Sequence, residues 1–282
     1  MSHTKLMNTA TLCAHLSDPD WVVVDCRFSL SDSEAGRRTY AAGHLPGARY
    51  AHLDDDLSGA ITPATGRHPL PDPARLARKL GEWGIDHHSQ VVAYDDMGGI
   101  LAAARLWWLL RWLGHGAVAV LDGGFSAWQR AGLPLTAELP VVKPTVFVAR
   151  PNDQLWLTTA QIQNLPKEKL LLDARATARY RGEMEPIDPV AGHIPGAVNV
   201  PTEDNLTVSG CFRPAEELRA RFTAVLGGQS PTVVAHSCGS GVTACHNLLA
   251  MEVAGLSGSR LYAGSWSEWI RDPNRPIATG SV

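Results

Sequence analysis

Residues 233–245 read Val-Val-Ala-His-Ser-Cys-Gly-Ser-Gly-Val-Thr-Ala-Cys. A short apolar run leads into Cys238, a glycine-rich turn follows, and a helix-like run continues from it. This order predicts a sulfur at a helix N-terminus, ringed by backbone N–H groups, with Gly239, Gly241, Val242 and Thr243 as substrate-binding residues for an anion beside it. A free thiol titrates near pKa ~8.5, so only a few per cent is thiolate at neutral pH. A cradle of N–H donors lowers that value and favours the thiolate. It would equally favour a terminal persulfide, R–S–S⁻, which is a larger anion. A structural cysteine predicts apolar neighbours, whereas Cys238 is flanked by Ser237, Gly239, Ser240 and Gly241. Cys245 shares a helical run with Leu248, Leu249 and Val253 and reads as core. Cys13, Cys26 and Cys211 also read as ordinary thiols.

Other chemistries fit this loop less well. A phosphatase-type Cys-x5-Arg loop needs a cation six residues after the nucleophile to grip phosphate; that residue is Ala244. Gly239-Ser-Gly241-Val-Thr-Ala244 matches the dinucleotide pattern G-x-G-x-x-A after a strand. That fold also needs an acidic residue on the next strand, about 20 residues on, to hold a ribose. The next strand, Arg260-Leu-Tyr-Ala263, offers none, so dinucleotide binding stays a distant alternative. There is no Cys-x-x-Cys, His-x-Glu or His-Glu-x-x-His pattern, and no structural zinc site is expected.

The elements that must position Cys238 occur twice. Val22-Val-Val-Asp25-Cys-Arg27 matches Leu170-Leu-Leu-Asp173-Ala-Arg175, and Gly43-His-Leu-Pro-Gly-Ala48 matches Gly192-His-Ile-Pro-Gly-Ala197. Gln90–Asp96 aligns with Thr232–Cys238, and Gly123–Trp128 with Gly264–Trp269. Four blocks in one order, 141 to 149 residues apart, indicate tandem units. On this alignment Asp96 is the counterpart of Cys238, so one half carries the thiol and the other does not.

Short continuous apolar runs suit parallel strands covered on both faces. They fall at Val22–Asp25, Val91–Tyr94, Val118–Leu121, Leu170–Asp173, Thr232–His236 and Arg260–Ala263. Helices are expected over Pro73–Trp83, Leu101–Leu113, Ser126–Ala131, Pro214–Val225 and Val242–Met251. The fold class is α/β: two wound, mostly parallel sheets flanked by helices. The domains are expected at 1–132 and 158–282, joined by an extended linker, 133–157, rich in proline. His44 and His193 begin turns present in both halves and read as structural. Asp25 and Asp173 are expected to cap strand ends or pair with Arg27 and Arg175. Trp107, Trp108 and Trp112 lie at helical spacing and read as core.

The chain has 282 residues and a net charge of −3, which suits two domains and gives no case for a nucleic acid or membrane partner. No apolar run is long enough to span a bilayer. The N-terminal Met-Ser-His-Thr-Lys-Leu-Met-Asn lacks the apolar stretch of a secretory signal, so a cytoplasmic location is expected. Five cysteines without framework spacing then read as thiols.

With these motifs in place, the chain resembles the tandem rhodanese-like sulfurtransferases over nearly its whole length. Its uncharged loop, Cys238-Gly-Ser-Gly-Val-Thr-Ala244, is similar to that of the 3-mercaptopyruvate branch. The thiosulfate-preferring branch usually carries basic residues there. The resemblance implies a ping-pong reaction in which Cys238 takes sulfur from 3-mercaptopyruvate or thiosulfate as a persulfide. A thiol such as reduced thioredoxin, or cyanide, then accepts it. No metal or organic cofactor is implied. Arg179 matches the family arginine that grips the substrate carboxylate, with Arg181 as a solvated neighbour. Ser240, His68 and Asp54 match a proposed proton relay, the last two lying in the first half of the chain, so that the first domain would line one wall of a cleft. The family has a second arginine in a Glu-Pro-Arg stretch. This chain reads Glu185-Pro186-Ile187-Asp188, and that arginine is missing. The non-enzymatic alternative is a persulfide carrier or binding module that hands sulfur to a partner protein.

Overall fold

A computed structural model describes residues 2–280 and separates them into two compact units. The first contains residues up to Gly59, Leu70–Asn152 and Leu206–Phe212. The second contains Ala60–Pro69, Asp153–Asn205 and residues from Arg213 onward. The segment 60–69, which falls in the first half of the sequence, thus packs with the second unit.

In the first unit the strands are β1 (Leu6–Met7), β2 (Trp21–Asp25), β3 (Arg49–Tyr50), β4 (Gln90–Tyr94) and β5 (Val118–Leu121). They form an all-parallel sheet in the order β1-β5-β4-β2-β3. Its helices are α1 (Thr9–Ala14), α2 (Ala35–Ala42), α3 (Pro73–Glu82), α4 (Ala102–Trp112) and α5 (Gly124–Arg130). The second unit repeats the plan. Its strands are β6 (Trp156–Leu157), β7 (Leu170–Asp173), β8 (Val198–Asn199), β9 (Val234–Ser237) and β10 (Arg260–Tyr262), ordered β6-β10-β9-β7-β8. Its helices are α6 (Thr159–Gln163), α7 (Thr177–Arg181), α8 (Ala215–Leu226), α9 (Ala244–Val253) and α10 (Ser265–Trp269).

The central strands are the continuous apolar runs. β4 is buried at every residue, as expected of a strand covered on both faces. The flanking strands β1, β3, β6 and β8 are only two residues long, too short to leave a periodic signal. Local chemistry sets several helix starts: Asn8 and Asp72 cap α1 and α3, and Thr158 with Gln161 forms a capping box on α6. Trp107, Trp108 and Trp112 are all buried on α4. Residues 137–152 form no helix or strand. No helix among the described residues is long and apolar enough to cross a membrane.

Equivalent elements carry equivalent bonds. Arg27 pairs with Asp25 at 2.6 Å and donates to Gly43 O at 2.7 Å; Arg175 pairs with Asp173 at 2.7 Å and donates to Gly192 O at 2.8 Å. His44 stacks on Tyr40 at 3.9 Å and His193 on Tyr180 at 3.8 Å. Each of these histidines also bonds the carbonyl of that same tyrosine through Nδ1. These pairs brace the turn before β3 and β8, which is the structural role their presence in both halves suggested.

The register corrects one alignment. Cys26 N–H donates to Tyr94 O and Phe125 N–H to Asp95 O; in the second unit Ala174 N–H donates to Ser237 O and Trp266 N–H to Cys238 O. Asp95, not Asp96, is therefore the counterpart of Cys238. The sequence misled by one residue because Pro231–Val233 winds into a 3-10 turn, so β9 begins at Val234 and not at Thr232.

Candidate active site

Strand β9 ends at Ser237, and Cys238 follows it into a turn that runs to α9 at Ala244. Cys238 is 2% exposed. Its N–H donates to Ser265 Oγ at 3.0 Å, its carbonyl accepts from Trp266 N–H at 3.0 Å, and Gly239 O accepts from Ser267 N–H at 2.8 Å. The start of α10 thus grips the loop backbone from behind. Ser265 is the only non-glycine residue at positive φ among the described residues, at 52°. That conformation costs an L-residue roughly 1–2 kcal/mol. The first unit puts Gly124 at this place, φ 55°. The serine hydroxyl both anchors Cys238 N–H and donates to Tyr262 O at 2.9 Å, bonds that a glycine cannot make.

The sulfur environment differs from the expected ring of amides. Gly241 N–H donates to Cys238 Sγ at 3.2 Å, and it is the one backbone N–H that bonds the sulfur among the described residues. Helix α9 begins only at Ala244, six residues after the thiol. Gly241 has φ 75°, and a Cβ there would lie 2.3 Å from Ala263 O, so the turn requires glycine. Gly239 and Val242 are buried beside it, and Thr243 is half-buried as the residue preceding α9. Cys245, in the first turn of α9, donates its S–H to Gly241 O at 3.4 Å.

Positive charge stands around this turn. A Cβ at Gly239 would lie 2.8 Å from Arg67 Nη2 and 3.6 Å from Arg179 Nη2. Arg179, in the last turn of α7, is held by a fork to Glu185, with Nη2 at 2.7 Å from Oε1. Arg175 Nη1 reaches Glu185 Oε2 at 3.5 Å. Burial works against the Arg175 charge, but Asp173 and Glu185 outweigh it and hold the guanidinium above its usual range. Burial pushes Glu185 up, yet the Arg179 hydrogen bond and the N–H groups of Asp188 and Ile187 hold it below the usual carboxylate range. Arg181 is 43% exposed and pairs loosely with Glu183 at 3.8 Å, the solvated neighbour its position suggested.

His68 Nδ1 and Ser240 Oγ share a 2.7 Å hydrogen bond. The segment carrying His68 is anchored by Arg67 N–H to Ser267 Oγ at 3.1 Å and by Arg271 Nε to Thr65 O at 3.0 Å. The second unit therefore brings together Cys238, Ser240, His68 and Arg179. Asp54 belongs to the first unit, in the turn after β3.

Sequence reasoning passed over Arg67, Glu185, Asp188 and Ser265. Arg67 pairs with Asp188, and Asp188 Oδ2 also accepts from Arg179 Nη2 at 3.2 Å. A second guanidinium thus reaches the Glu185–Asp188 stretch from 121 positions away in the chain. A basic residue directly before His68 was the one available signal. Among the described residues no three His, Cys, Asp or Glu side chains gather as a metal set.

A wound α/β unit that presents a buried thiol on a glycine turn, flanked by guanidinium groups, is built for thiol chemistry on an anionic substrate. A family model described as a rhodanese-like domain matches twice, over residues 8–131 and 158–272, and the chain belongs to the rhodanese-like family. It is 53% identical over 284 residues to a probable 3-mercaptopyruvate sulfurtransferase of Pseudomonas aeruginosa, covering 99% of this chain and 100% of that one. It is 37% identical over 259 residues to the thiosulfate sulfurtransferase of Rattus norvegicus, covering 90% and 86%. The structure of the 3-mercaptopyruvate sulfotransferase SseA from Escherichia coli superposes with a TM-score of 0.81 at 31% identity, covering 94% of this chain and 100% of that one. The activity these findings give the chain is sulfur transfer.

Proposed function

We propose that the chain moves the sulfur of 3-mercaptopyruvate through a persulfide on Cys238 to a thiol acceptor, for which a small dithiol protein such as thioredoxin is suited. The observation that carries this reading is the placement of Cys238 in an uncharged turn, with Arg67 and Arg179 converging on the adjacent Gly239. A monocarboxylate bound by the two arginines would set its thiol against Sγ.

In the first half-reaction the Cys238 thiolate attacks the donor sulfur. An S–S bond forms, the donor C–S bond breaks, and the electron pair passes to the methylene carbon as the pyruvate enolate. The proton originally on the donor thiol ends on that carbon. The hydrogen-bonded Ser240 and His68 stand where they can carry it. In the second half-reaction an acceptor thiolate attacks the outer sulfur, leaving with it and restoring the Cys238 thiolate. Splitting one transfer into two at a single nucleophile is the advantage of covalent catalysis. A further reading is a persulfide carrier without turnover; the dinucleotide alternative falls with the family match.

The test is turnover of 3-mercaptopyruvate and of thiosulfate with one small thiol acceptor. We expect the larger kcat/KM for 3-mercaptopyruvate and a sulfane sulfur on Cys238 by mass spectrometry when acceptor is withheld. A stable persulfide that a small thiol cannot discharge would favour the carrier reading, and absence of any persulfide would remove both.

A further inference from the structure

Asp188 stands between the two arginines that face the Cys238 turn. Its Oδ1 is paired with Arg67 Nη1 and its Oδ2 accepts from Arg179 Nη2 at 3.2 Å. The carboxylate side chain is 3% exposed. Each guanidinium keeps an edge toward the turn. Arg67 Nη2 and Arg179 Nη1 have no hydrogen-bond partner among the described residues, and lie 2.8 and 3.7 Å from where a Gly239 Cβ would be. Arg67 Nε is buried and also without a partner. The site thus offers N–H donors to an incoming anion while its cations are already neutralised. Arg67, Arg175 and Arg179 are matched by Asp173, Glu185 and Asp188. A donor with one negative charge gains hydrogen bonds at little electrostatic cost. A dianion meets a centre with no net positive charge and a fixed carboxylate one guanidinium away.

We infer that Asp188 is a donor-selecting residue: its carboxylate pre-positions Arg67 and Arg179 and discriminates against dianionic sulfur donors in favour of monocarboxylate thiols. This rests on the sulfurtransferase reading above and assigns the choice of donor to one side chain. It concerns binding and selection, since no observed contact links Asp188 to the sulfur.

The test is the ratio of kcat/KM for 3-mercaptopyruvate to that for thiosulfate, with one thiol acceptor, in Asp188→Asn, Asp188→Ser and Asp188→Glu. Removing one unit charge at this range in a partly screened site should shift the ratio toward thiosulfate about tenfold. That shift comes mainly from a lower KM for thiosulfate, a gain that a merely loosened structure does not produce. Asp188→Ser carries no amide N–H to oppose the guanidiniums and should move the ratio in the same direction. Asp188→Glu keeps the charge and should stay near the wild-type ratio. An unchanged ratio in both neutral variants of an active enzyme, or an equal shift in Asp188→Glu, overturns the role of Asp188 and leaves the sulfurtransferase reading standing. A wild-type protein that transfers sulfur from neither donor overturns both.

Discussion

Asp95 and Cys238 occupy the same place in two copies of one fold, each the first residue beyond the central strand. In the first unit the turn closes on its own side chain. Asp95 Oδ1 accepts from Met97 and Gly99 N–H at 2.9 and 2.8 Å, and Oδ2 from Leu101 and Ala103 N–H at 3.1 and 3.3 Å. An anion cradle is present, but a carboxylate of the chain itself fills it. In the second unit the side chain at this position is a thiol held by one amide, and the remaining polar groups come from segments distant in sequence. The same backbone plan therefore serves as a rigid plug or as a reactive centre. The difference lies in one side chain and in Arg179, for which the first unit has Thr39, one residue before the stacked tyrosine.

The comparison breaks most sharply at the sulfur. Cys238→Ser should lose sulfur transfer to below about a thousandth of wild type while keeping its circular dichroism and melting profile. Adding Asp95→Cys to that variant should not restore turnover, because Thr39 stands where the second unit has Arg179; recovery of activity would contradict the importance given to Arg67 and Arg179. Next in size are those arginines. Arg179→Ala and Arg67→Ala should each raise the KM for 3-mercaptopyruvate about tenfold or more, and that for thiosulfate less. Equal increases for both donors would remove the carboxylate-binding role.

Ser265→Gly sharpens the comparison by giving the second unit the residue of the first. Relief of the strained φ should offset the lost hydroxyl bonds, so stability changes by less than about 1 kcal/mol. The kcat/KM should nevertheless fall several-fold, because Cys238 N–H loses its anchor. A variant with unchanged kinetics would show that α10 supports the fold alone.

The remaining effects are on stability alone, and they run in opposite directions with pH. Burial raises Asp95 to about 6, against the downward pull of its N–H partners. Its folded value lies above the unfolded one, so its contribution is fully present below about pH 4 and is lost as pH rises through about 6. The size is on the order of 2–3 kcal/mol. Burial lowers His236, on β9, to about 3. Its contribution is present above the unfolded value near 6.5 and is lost as pH falls toward 3. Denaturation at several pH values should show Asp95→Asn flattening the loss between pH 4 and 6, and His236→Leu flattening the loss below pH 6. Parallel curves for wild type and variants would refute these assignments.

Much of this protein is written locally. The apolar runs at Val91–Tyr94 and Leu170–Asp173 suited covered strands, and the paired Gly-His-x-Pro-Gly-Ala blocks disclosed the duplication. Cys238 stood out because a nucleophile in a glycine turn after a strand has a chemical meaning independent of its surroundings. The two-residue strands were illegible because pairing, not pattern, creates them. The one-residue error at Asp96 arose from a 3-10 turn that pattern matching cannot see.

The sequence by itself determined the two α/β units, the thiol and its turn, because hydrophobic periodicity and glycine geometry act over a few neighbouring residues. Only the tertiary structure decided that Arg67 joins Arg179 at Gly239, that Asp188 bridges them, and that Ser265 holds the cysteine backbone. Such charge and hydrogen-bond partners are selected by distance in space, and a chain that brings residue 67 against residue 188 keeps no local record of having done so.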